Sequence, residues 1–101
     1  MMKIPKTVKI GGKVYNVEIT DNFDLGSANV SAEISYTDLA IRVSPNQASG
    51  KMEADFIHEL IHGIYDFLGY RDHDEKRVDE LAQALYMVIM DNPDIFEDDE
   101  S

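Results

Sequence analysis

The sequence predicts an α+β domain in which an antiparallel sheet of three or four strands precedes two packed helices. Three observations predict it. The first half alternates apolar and polar residues with period two, the stretch from about Lys51 to Ile89 repeats apolar residues with helical spacing, and the turns inside the first half are too short for parallel crossovers. A chain of 101 residues holds one core, so residues 1–101 read as a single domain. With 44% hydrophobic residues, that core is expected to pack despite a charged fraction of 29%.

Thr7-Val8-Lys9-Ile10 and Lys13-Val14-Tyr15-Asn16-Val17-Glu18-Ile19 flank Gly11-Gly12. Glycine reaches the positive φ of a tight hairpin turn at little steric cost, so this segment predicts a β-hairpin. A second hairpin is expected from Ala32 to Ser44, where Ile34 and Tyr36 lead into a Thr37-Asp38 turn and Leu39, Ile41 and Val43 follow on one face. Asp21 to Ser31, between the hairpins, reads as a polar loop. From about Lys51 to Leu68, the residues Phe56, Ile57, Leu60, Ile61, Ile64, Phe67 and Leu68 form an apolar stripe, with Ser49 as N-cap and Gly69 as the stop. Asp72 or Asp74 opens a second helix, in which Val78, Leu81, Ala82, Leu85, Val88 and Ile89 recur until Asn92-Pro93 ends it. The tail at 94–101 is acidic, carries Ile95 and Phe96, and is expected to fray beyond them.

Nine basic residues against twenty acidic ones give a net charge of −11, which repels a phosphate backbone and excludes nucleic acid as a direct ligand. No apolar run approaches the roughly 20 residues that span a bilayer, and the N-terminus leads into no signal-peptide core. The chain therefore reads as soluble and cytoplasmic, without a membrane partner. It contains no Cys, so a metal must be held by His and carboxylate.

The chemistry concentrates at His58-Glu59-Leu60-Ile61-His62, an H-E-x-x-H motif inside the first helix. Residues four apart lie one turn apart on the same face, so both imidazoles can address one Zn2+, with Glu59 placed as general base. A catalytic zinc takes three protein ligands, and the third must come from beyond His62. Glu75, Asp79, Glu80 and His73 are the candidates. On a helical wheel Glu75 lies about 60° from the centre of the apolar stripe, Asp79 about 100°, and Glu80 near the opposite side, so Glu75 is best placed. Tyr36, Tyr65, Tyr70 and His73 are candidate oxyanion donors, although packing accounts for such residues more often.

His58-Glu59-Leu60-Ile61-His62, a short turn, and then Asp74-Glu75-Lys76-Arg77-Val78-Asp79-Glu80-Leu81-Ala82 resemble small zincin-type metallopeptidase-like proteins of phages and their bacterial hosts. These are distant relatives of the ImmA/IrrE and SprT-like minimal metallopeptidases. Leu85-Tyr86, Asp91-Asn92-Pro93 and the opening hairpin extend the resemblance over nearly the whole chain. The E-x-x-x-D spacing of Glu75 and Asp79 is similar to that of the gluzincin group, which implies a zinc-ligand role for Glu75 and a His-orienting role for Asp79. The third His of the metzincin pattern is missing, since Leu68 occupies its place. The resemblance implies a zinc-dependent endopeptidase acting on a peptide or protein substrate in a bacterial host cell. The competing expectation is a catalytically silent zinc-binding module that keeps the fold for interaction.

Overall fold

In the computed structural model, which describes residues 2–23 and 31–96, the two central glycines of the first turn have φ of +58° (Gly11) and +97° (Gly12). Positive φ at both positions is what a two-residue hairpin turn needs to match strand twist. They join β1 (Thr7–Ile10) to β2 (Lys13–Ile19) in antiparallel register, with Ile10 opposite Lys13. The second hairpin pairs β3 (Ala32–Ser35) with β4 (Ala40–Val43), also antiparallel. Its turn is stabilised by the Asp38 amide donating to Ser35 Oγ at 3.1 Å. Most of the expected Asp21 to Ser31 loop, and the tail beyond Phe96, lie outside the described residues.

The four strands run in the order β1-β2-β4-β3, and β2 pairs with β4 in parallel. The sheet is therefore mixed, which corrects the expectation of a wholly antiparallel one. Short turns dictate pairing only within each hairpin. The chain between Ile19 and Ala40 is long enough to cross over and contains β3 itself, so the second hairpin docks through its second strand. That docking puts Val17, Ile41 and Ile34 in one row on the core face. On the other face Glu18, Arg42 and Glu33 form a row across three strands, and Arg42 donates to Glu18 at 3.0 Å, Glu33 at 2.8 Å and Asp38 at 2.9 Å. Arg42 and Glu33 are both buried, so their charges depend on this pairing.

Helix α1 (Ser49–Phe67) lies over the core face, touching β1, β3 and β4, and among the described elements the backbone of α2 (Glu75–Asp91) approaches only that of α1. The core joins Ile10, Tyr15, Ile41 and Val43 of the sheet to Phe56, Ile57 and Ile61 of α1 and Val78 and Ala82 of α2. Gly63 lets α1 approach closely, since a Cβ there would stand 2.6 Å from Ile10 Cδ1. Ser49 is the first helical residue rather than the cap: Ala48 holds the N-cap position and makes no side-chain capping bond. Asp74 caps α2, accepting from the amides of Lys76 and Arg77 at 3.1 and 3.4 Å. Leu81 and Val88, expected in the core, are exposed, and so are Ile64, Phe67 and Leu68 of the α1 stripe. The packed face of α2 is instead Val78, Ala82, Leu85, Tyr86 and Ile89. Its centre is turned toward Glu75 and Asp79. Among the described residues no helix is long and apolar enough to cross a membrane.

Candidate metal centre

His58, Glu59 and His62 occupy the face of α1 that looks past the sheet edge, with both imidazoles partly buried and Glu59 9% exposed. The turn after α1 brings α2 back against them. Leu68 ends the helix, Gly69 follows with φ +89°, and the amides of Gly69 and Tyr70 donate to the carbonyls of Asp66 (3.0 Å) and Tyr65 (3.1 Å). This is the two-bond Schellman closure that a glycine after the last turn permits. Because Asp74 takes the capping role, Glu75 at the first helical position keeps its carboxylate free to reach α1.

Glu75 Oε2 lies 3.3 Å from His58 Nε2, and Glu75 Oε1 rests on His62 Nε2. One nitrogen from each His and one oxygen from Glu75 lie within 4.8 Å of one another. Two imidazoles and one carboxylate are a donor set that suits zinc while leaving a fourth position for water, so the residues fit the metal that the motif implies. Asp79 Oδ1 stands 3.6 Å from His58 Nδ1, the nitrogen turned away from Glu75. His73 Nδ1 meets the corresponding nitrogen of His62 at 2.8 Å, so His73 stands behind a candidate ligand and not among the converging donors. Glu80 lies elsewhere, beside Leu81 and Tyr65 on the outer side of α2.

Burial is the main influence on the two central titrating groups. It holds the His62 imidazole below its usual value, helped by the neighbouring His58 and His73 and opposed by Glu75. A neutral imidazole keeps a lone pair for a metal. Burial also raises Glu59, with Glu75, Asp55 and Glu33 adding to the effect, and pushes its carboxyl up to about 8. A carboxyl perturbed in this way by burial and neighbouring charges, in a cleft, is a functional-site candidate.

These side chains line an open cleft of about 1180 Å³, walled on the opposite side by Ser31, Ala32, Glu33 and Ile34. The wall is β3, the edge strand. Ser31 Oγ donates to Asp55 Oδ2 at 2.7 Å and ties the start of that wall to α1. Tyr36 and Tyr70 line the cleft, and the Tyr36 hydroxyl donates to the His62 carbonyl at 3.2 Å. Tyr65 turns away and packs its ring against Tyr70 and His73. Sequence reasoning overlooked the contact between His73 and His62, and Asp55 and Asp66 at the two ends of the cleft. The latter pair had a signal, since Asp55, His58, Glu59, His62 and Asp66 share one helical face. Comparison of the chain with protein-family models, curated proteins and solved structures gives no match.

Proposed function

We propose that the chain is a minimal zinc-dependent peptidase, with His58, His62 and Glu75 holding the metal and Glu59 acting as general base. The observation that carries this is the convergence of two Nε2 atoms and one carboxylate beside a buried Glu in an open cleft. Bound zinc would supply a Lewis acid for the scissile carbonyl and, by its charge, draw Glu59 toward the carboxylate form. Glu59 then takes the proton of the attacking water and passes it to the leaving amine. Asp79, 3.6 Å from the second nitrogen of His58, would orient that ring by closing to hydrogen-bond distance. Tyr36 and Tyr70 both line the cleft, and the Tyr36 hydroxyl would have to leave the His62 carbonyl to donate to a developing oxyanion.

The edge of β3 supports an extended peptide as substrate, because a strand laid along it gains backbone hydrogen bonds next to Glu59. Asp55, Asp66 and Asp79 in the cleft favour cationic peptides.

The test is zinc content after reconstitution, followed by hydrolysis of a basic unfolded protein by wild type and Glu59→Gln. One zinc per chain, hydrolysis by wild type and a zinc-loaded but inactive Glu59→Gln are expected. Absence of zinc overturns the proposal. Zinc without Glu59-dependent hydrolysis would favour the silent interaction module.

A further inference from the structure

We infer that His73 is a positioning residue for His62, holding that ring through its Nδ1 so that Nε2 faces the metal position; the inference rests on the zinc reading above. His73 Nε2 lies 2.9 Å from the Tyr70 carbonyl, which can only accept, so Nε2 carries the His73 proton. In a neutral His73 ring Nδ1 is then an acceptor. Among the described residues the group it meets at hydrogen-bond distance is His62 Nδ1, 2.8 Å away, which is then the donor. An imidazole protonated on Nδ1 keeps its lone pair on Nε2, the atom beside Glu75.

The geometry is that of an in-plane hydrogen bond. The two rings are 23° from parallel with centroids 5.0 Å apart, close to the N–N distance plus the two ring radii, the value for nitrogens lying on the line between the centroids. Both nitrogens therefore lie between the rings. Tyr70 is itself fixed by the Schellman closure, and the Tyr65 ring meets His73 edge-on at 5.4 Å. A continuous path thus runs from the Gly69 turn through the Tyr70 carbonyl and His73 to His62. The two metal-facing imidazoles then have different outer partners, a carboxylate for His58 and an imidazole for His62. Partners of this kind fix ring orientation and raise ligand basicity.

The experiment compares His73→Leu and His73→Asn with wild type by competitive zinc titration against a chromophoric chelator and by the visible absorption of the Co2+-loaded protein. Leucine removes the acceptor, whereas asparagine places Oδ1 where Nδ1 stands. The expected result is roughly 10 to 100-fold weaker zinc binding and an altered Co2+ spectrum for His73→Leu, with most of the affinity and the wild-type spectrum kept by His73→Asn. Wild-type affinity and spectrum in His73→Leu would overturn the inference. So would an equal loss in both variants, the signature of a packing role. Wild type that takes up no zinc overturns the zinc reading itself, a result these variants cannot mimic.

Discussion

Glu75 belongs to α2 and His58 to α1, yet Glu75 Oε2 lies 3.3 Å from His58 Nε2, and the second oxygen of the same carboxylate rests on His62. One side chain thus spans both imidazoles. On the proposed zinc reading its removal would take away a ligand and not merely a supporting contact, so Glu75→Ala should weaken zinc binding by at least roughly 100-fold, more than the loss of an outer partner usually costs. Glu80→Ala should be nearly silent, because Glu80 lies on the outer side of α2. Zinc titrations of the two variants check the order. Greater damage from Glu80→Ala would mean that the metal sits elsewhere.

Asp79 acts one step further out. Its carboxylate stands 3.6 Å from His58 Nδ1 and approaches no other imidazole nitrogen, so its effect should pass through the orientation of that one ring. Asp79→Ala is expected to weaken zinc roughly 10 to 100-fold, and Asp79→Asn, which retains an acceptor, less than that. If Asp79→Ala proves as damaging as Glu75→Ala, Asp79 would itself be a ligand.

The shared face of His58 and His62 was legible in the sequence because i, i+4 spacing fixes it whatever the tertiary packing. Glu75 was reachable by helical wheel, although the wheel had counted Leu81 and Val88 as core. Both are exposed because α2 packs mainly on one helix, through the face of Val78, Ala82, Leu85, Tyr86 and Ile89, which leaves the flank carrying Leu81 and Val88 uncovered among the described residues. The parallel pairing of β2 with β4 was not legible. Alternation reports which face a residue takes and turns report pairing within a hairpin, but the order of two hairpins is decided by long-range contacts such as the Glu18, Arg42 and Glu33 row. The tie between His73 and His62 was hidden for a similar reason. It depends on the Gly69 turn placing a backbone carbonyl behind the ring, which no spacing encodes.

A stability prediction concerns the α1–α2 interface away from the metal centre. Glu53 is 4% exposed, and its carboxylate accepts from the Tyr86 hydroxyl at 2.9 Å. Tyr86→Phe removes this donor from a buried charge and should cost about 1 to 3 kcal/mol, read as a lower urea midpoint. Burial first, and then Glu53, raise the Tyr86 pKa above the ordinary value of 10.0. Above about pH 10 the unfolded tyrosine therefore gives up its proton while the folded one retains it, and stability falls as pH rises. The alkaline loss should be steeper in wild type than in Tyr86→Phe. Equal slopes would show that the hydroxyl makes no difference to Glu53.

The last prediction follows from how α2 is attached. Its main packing is on α1, and Leu81, Met87 and Val88 stay exposed, so its docking depends on one seam of side chains. A zinc ion held by His58 and His62 of α1 and Glu75 of α2 would bridge that seam, and the unfolded chain offers no comparable site. Binding to the folded state alone adds about 2.7 kcal/mol when free zinc stands at 100 times its Kd. For a domain of this size that corresponds to a rise in Tm on the order of 10 to 20 °C. Mg2+ should give almost none of it, since it prefers oxygen ligands and sheds water reluctantly. Thermal melts with zinc, with Mg2+ and after chelation should show the rise only with zinc, and chelation should reverse it. Glu75→Ala should lose most of the increment, because its zinc would no longer join the two helices, while Glu80→Ala keeps it. A zinc-dependent rise of equal size in Glu75→Ala would place the metal on α1 alone and refute the bridge.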